Sequence, residues 1–336
     1  VFIHLFKKKF IMTQNRYVQE VLKLNNELPD RHEFHRQASK LLMEMGKDKN
    51  FWNEIFKMNL SDKGYLQRKW TMYEIPFFYV FENNDFYIKV HLFVPLQSYA
   101  SGVAASAIHH HNNYLLSTYA AYGPGYETML FEKKFTVDPV TNVTNLRIRE
   151  RFTQQERPLH LVDAWEPHVV INPVSLSATV VLWSPDKKRA TDSLRSNPLL
   201  KAIKMPLRKL IYALGMDKKV GIAAKDTYQF YTQHNKFYAV PEDEFFAPTR
   251  GQAGPEVDDY SIQTVFAFMQ RMGFDDKDFL RSLKTAEDVP AYYHKWIDKL
   301  LNDEPIADTF AKNEINVPGG KMLVEDILNA AGQADK

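Results

Sequence analysis

The sequence predicts a mainly β protein with flanking helices: an antiparallel β-barrel over residues 67–186, a helical segment before it at 13–66, and a mostly helical region after it at 187–336. Three observations carry that prediction. Apolar residues recur with period two through the middle of the chain, turn-forming residues separate those runs, and helical spacing governs the sequence on either side.

Over residues 17–59 the apolar positions Val18, Val21 and Leu22, then Leu41, Leu42 and Met45, fall on helical spacing, with a break expected at Pro29-Asp30. Ser61-Asp62-Lys63-Gly64 closes the segment with turn residues. The period then becomes two: Phe86, Ile88, Val90 and Leu92 share one strand face, and Lys89 and His91 take the other. Further extended runs are read at 70–81, 114–122, 126–135, 146–152, 169–171 and 178–183. Turns at Asn83-Asn84-Asp85, Gly123-Pro124-Gly125, Asp138-Pro139 and Ser184-Pro185-Asp186 divide them, and many short strands so joined imply a sandwich or barrel.

After Asp186 the strands are expected to stop. Helices are read at 199–214, 261–272, 276–283, 289–301 and 322–331, with Ser261 as an N-cap and Gly273 as a stop. The Pro-, Gly- and acid-rich stretch 241–258 reads as surface chain. Residues 1–12, with Lys7, Lys8 and Lys9 among apolar neighbours, read as an extension or disordered lead preceding an ordinary start at Met12.

Composition narrows the function classes. Lys and Arg total 43 against 41 Asp and Glu, a formal charge of +2, so no basic field exists to hold a nucleic-acid backbone. No run approaches the roughly 18 apolar residues of a spanning helix. The expectations are no nucleic acid, no membrane and a cytoplasmic location. Cysteine is absent, which removes disulfides, thiolate ligands and a cysteine nucleophile; any metal must use His, Asp or Glu.

His109-His110-His111 stands in the β region, before Gly123. In an extended strand His109 and His111 share a face while His110 points away, so two imidazoles can converge on one ion. His168, at the head of a later strand, offers a third. The plain alternative is a solvated strand edge with a hydrogen-bonded core histidine. His160 and Glu166 are spare ligand candidates, and either would change the coordination class.

Gly102, His109, His111 and Gly123, followed by His168 and Asn172, resemble the two motifs of the cupin superfamily, over about a third of the chain. That resemblance implies a jelly-roll barrel with the metal on His109, His111 and His168. Three departures stand out. One extra residue separates Gly102 from His109, the usual glutamate position falls on Leu115 or Leu116, and Asp163-Ala164-Trp165 replaces the Pro-x-Gly before the second histidine. The missing glutamate is similar to the three-histidine cupins, such as thiol and diketone dioxygenases. The resemblance therefore implies a non-heme Fe(II) oxygenase acting on a small organic substrate with dioxygen. Imidazole also suits Zn, Ni and Cu, and Mn is kept open with them. A metal-dependent lyase, isomerase or hydrolase, or a non-catalytic ligand-binding cupin, stands as the alternative.

Tyr114, Arg149 and Trp165 are the candidate catalytic residues. Arg147, Arg149 and Arg151 alternate along one strand face, which either lines the barrel and clamps a substrate anion or meets water; water is the expectation for at least two. Tyr114, Tyr119, Tyr122 and Trp165 either wall the pocket or pack a core. Neither His109, His110 nor His111 has an acid two positions on, which disfavours a 2-oxoglutarate oxygenase, and no nucleophile elbow, phosphate loop or dinucleotide fingerprint occurs. The helical segments are expected to cap the barrel or to form a homodimer contact.

Overall fold

Side-chain caps set where the first helices begin. In α1 (Arg16–Glu27), α2 (Arg31–Lys47) and α3 (Lys49–Leu60), the side chains of Asn15, Asp30 and Asp48 accept a first-turn backbone N–H. The break expected at Pro29-Asp30 is thus the cap of α2. A short α4 (Lys63–Leu66) follows, capped by Asp62. These elements belong to a computed structural model that describes residues 12–68, 75–95, 102–187, 227–241, 255–309 and 321–333.

Eleven strands follow among the described residues. β1 (Phe77–Glu82), β2 (Tyr87–Phe93), β3 (Tyr114–Tyr122), β7 (Leu159–Val162) and β9 (Ser177–Pro185) form one antiparallel sheet in the order β1-β2-β9-β3-β7. β4 (Glu127–Phe131), β6 (Ile148–Thr153) and β8 (His168–Ile171) pair as β6-β4-β8, and β5 (Val143–Thr144), β10 (Tyr228–Gln233) and β11 (Lys236–Pro241) as β10-β11-β5. Isolated antiparallel bridges join the last two groups. Ala104 and His109 bridge to Ile171 and His168, and Ile108 bridges to Phe230, so the segment carrying the first two histidines runs between β8 and β10.

The alternation of each strand decides what lies on either side. Ile88, Val90, Leu92, Ala178, Val180 and Leu182 turn toward the helices, in one core with Val21, Phe34, Leu42, Ile55 and Phe56. From the opposite face, Leu116, Val162, Val181 and Trp183 meet Leu130 and Phe152 of the facing sheet. The two sheets therefore enclose a common interior, the antiparallel jelly-roll arrangement expected. Outside the second sheet Met129, Phe131 and Val169 pack with Phe230, Phe237 and Ile327 of α8 (Val324–Gln333).

The remaining helices are α5 (Pro255–Arg271), α6 (Lys277–Thr285), a 3₁₀ turn at Ala291–Tyr293, and α7 (His294–Leu301). Ser261 is not an N-cap: it lies inside α5, fully buried, because the helix begins at Pro255. Nor do the strands stop at Asp186. The β10–β11 hairpin turns through His234 and Asn235, both at positive φ, a conformation whose usual glycine signal is missing here. The helix read at 199–214 lies outside the described residues, as do residues 1–11 and most of the stretch 241–258, whose end opens α5. Met12, where the described chain begins, is buried and packs in the helical core. Among the described residues no helix is long and apolar enough to cross a membrane.

Candidate metal centre

The backbone brings the three histidines together. His109 N–H donates to the His168 carbonyl at 3.0 Å and His168 N–H to the His109 carbonyl at 2.8 Å, a closed antiparallel pair that sets both side chains on one face. His111, two residues on, rejoins that face, while His110 turns away onto the Trp165 ring at 5.4 Å. Ring centroids are 4.5 Å apart for His109–His168 and His111–His168 and 5.2 Å for His109–His111. One nitrogen from each lies within 4.8 Å of the others, close enough for one ion to meet all three after small ring rotations.

Local carbonyls orient two of the rings. His109 Nδ1 lies 2.9 Å from the Ala107 carbonyl and His168 Nδ1 3.1 Å from that of Glu166, contacts that place a proton on Nδ1 and the lone pair on Nε2. At His111 the Trp183 indole N–H lies 3.5 Å from Nδ1, at the long limit of a hydrogen bond. Burial, followed by the neighbouring imidazoles, holds His111 and His168 well below the ordinary histidine pKa. Both rings are therefore neutral at physiological pH, the form a metal requires.

Both spare ligand candidates are engaged elsewhere. The Glu166 carboxylate is buried, takes the Asp163 backbone N–H at 3.0 Å and pairs with Arg149 at 2.6 Å. His160 packs deep in the barrel, 3.0 Å from the Thr118 hydroxyl, and burial brings its pKa down to about 4. The cluster is thus all-imidazole among the described residues, as the missing glutamate implied.

The three residues read as catalytic take different places. Tyr114 opens β3 with its ring 6.4 Å from Tyr87, at the edge of the interior cluster. Arg149 is half exposed on the outer face, as are Arg147 and Arg151, so the arginine stripe meets water and Arg149 acts on Glu166. Trp165 is 38% exposed at φ +62°, held by its backbone N–H on the Asn112 carbonyl, with its ring tilted against His110. The outward ring contact of the triad runs instead from His111 to Trp183, whose indole lies 5.6 Å from His111 and 5.1 Å from His91. Sequence reasoning assigned Trp183 and His91 no role, although period two had already placed His91 opposite the core face of β2.

No protein-family model matches the chain, and no curated protein matches it. Similar solved structures include TT1209 from Thermus thermophilus, at 18% identity over 37% of this chain and 95% of that one, with TM-score 0.23. An RmlC-like cupin family protein with a double-stranded β-helix fold from Methanocaldococcus jannaschii gives 11% identity over 36% and 84%, with TM-score 0.21. A variant of Bacillus subtilis oxalate decarboxylase gives 14% over 37% and 29%, with TM-score 0.21, so this chain spans under a third of that enzyme's length. TM-scores this low carry no weight for fold or activity; the strand pairing and the cluster do. They define a jelly-roll β protein with a part-buried three-histidine cluster between its sheets.

Proposed function

We propose that the chain is a non-heme Fe(II) oxygenase acting on a small organic substrate, with His109, His111 and His168 holding the metal. The observation that carries the reading is a convergent, all-imidazole donor set with no carboxylate among the donors. Such a set leaves the divalent charge of the ion uncompensated and, with three of its positions filled, leaves others open to ligands. Bound iron would supply those positions and one-electron chemistry with dioxygen.

The protein's own residues supply the rest. The Ala107 and Glu166 carbonyls fix two ring orientations, Arg149 keeps the Glu166 carboxylate engaged, and Leu116, Val162, Val181 and Trp183 keep the interior apolar beside the donors. Small thiols, diketones and amino acids are the substrates to test, following the resemblance to three-histidine cupins. The test is oxygen-electrode recording on iron-loaded, untagged protein. Substrate-dependent oxygen uptake that disappears in His168→Ala is expected. Turnover without oxygen uptake would move the reading to Lewis-acid chemistry.

A further inference from the structure

The inner face of β2 carries Tyr87, Lys89 and His91, directly across from Trp183, Val181 and Thr179 of β9. Tyr87 stacks on Trp183 with centroids 4.9 Å apart and planes at 25°, and His91 lies at 5.1 Å from the same indole. The other neighbour of that indole is His111. One aromatic slab therefore connects the metal cluster to an imidazole on the adjoining wall.

His91 is the unspent polar group of that wall. It keeps partial solvent exposure in an enclosed setting, and burial brings its pKa down to about 3. Its contacts are ring contacts with Phe77 and Trp183, and neither nitrogen has a hydrogen-bond partner among the described residues. The fully buried His35, by contrast, is hydrogen-bonded to Ser117 and Ser184, so the part-exposed His91 nitrogens are the ones left open on this side of the sheet pair to an incoming group. A neutral ring offers one donor and one acceptor, and both point to a ligand that brings its own polar group. The stacked Tyr87–Trp183 pair and Val181 suit a flat carbon skeleton between that group and the metal.

We propose that His91 is a substrate-binding residue: it hydrogen-bonds the far polar group of a flat, metal-chelating substrate that lies along the Tyr87–Trp183 slab. This rests on the metal-centre reading above. It assigns a specificity role to a histidine outside the triad and defines the substrate class as planar, with oxygen donors at one end and a hydrogen-bonding group at the other.

The experiment uses the zinc-loaded full chain and calorimetric titration with three probes: azide, which needs only the metal; catechol, which adds the flat ring; and 4-nitrocatechol, which adds a distal acceptor. His91→Phe keeps the ring volume and removes the hydrogen bond. It is expected to weaken 4-nitrocatechol about 3- to 10-fold, the usual effect of one neutral hydrogen bond, while azide and catechol stay within about twofold. His91→Gln is expected to recover most of the loss. Unchanged 4-nitrocatechol affinity, or equal weakening of catechol, overturns the role of His91 while azide binding shows the centre intact. A wild-type chain that retains no zinc overturns the metal-centre reading and this one with it. Should His91→Phe fail to fold, His91→Leu carries the same expectations.

Discussion

Removing the His168 imidazole is the most direct perturbation of the centre. This ring sits 4.5 Å from each of the other two and is 3% exposed, so its loss takes away the donor common to both short contacts. Structural zinc sites with four donors are worth about 10–16 kcal/mol, or roughly 3–4 kcal/mol per donor, which is two to three decades of affinity. His168→Ala should therefore raise the metal dissociation constant by about 100- to 1000-fold. Stability supplies a second measure of the same quantity. Metal at 100 times the wild-type dissociation constant stabilises the fold by about 2.7 kcal/mol, and a 100-fold weaker variant at that concentration keeps only about 0.4 kcal/mol. Chelator competition and urea midpoints with and without zinc or Fe(II) would read both. His110→Ala is the matched control, because that ring faces Trp165 and stands outside the cluster. If His168→Ala binds as tightly as wild type, or if His110→Ala loses as much affinity, the three-histidine assignment is wrong.

Arg149→Ala leaves the buried Glu166 carboxylate with only the Asp163 N–H. Because Arg149 is half exposed the expected cost is modest, about 1–2 kcal/mol in urea unfolding, with metal affinity falling by about 10-fold or less and Arg149→Lys recovering part of both. Gly123 holds φ +74°, and a Cβ there would run into the Leu176 carbonyl, so Gly123→Ala should cost at least about 2 kcal/mol by the same measurement. His35 is buried, with its pKa lowered to about 3 by burial and then by Arg31. Its folded pKa lies below the unfolded value, so the unfolded chain binds more protons and stability is present above about pH 6.5 and is lost as the pH falls toward 3. The urea midpoint of wild type should drop between pH 7 and 4.5, and His35→Gln should flatten that slope; an unchanged slope would remove His35 as its source.

Most of the strand pattern was legible because period two reports a sheet with two different faces. Ile88, Val90 and Leu92 face the helical core while Tyr87, Lys89 and His91 face the interior, as their alternation implies. The short β7 was hidden because Leu159–Val162 holds a single β-branched residue, whereas the equally short β8 carries Val169, Val170 and Ile171. The centre was legible in part for the same reason: His-x-His fixes two rings on one face. That His168 joins them depends on a backbone pair between residues 59 positions apart in sequence, which spacing cannot supply. The roles of Tyr114 and Trp165 rested on proximity along the chain and that of Arg149 on the alternation of three arginines, and neither says which side of a strand meets the cluster. Trp183 meets it from β9, far from any motif.

Charge at the centre depends as much on what Glu166 does as on the three rings. It is the acid nearest His168 in sequence, it is buried, and a carboxylate donor would halve the net charge of a divalent ion held by neutral ligands. Both of its oxygens are taken, one by the half-exposed Arg149 from outside the sheet and one by the Asp163 N–H, while its carbonyl orients His168. Arg149 thereby leaves Glu166 engaged away from the three rings. On the proposed reading, a divalent ion held by imidazoles alone would keep its full charge and attract anionic chelating ends most strongly.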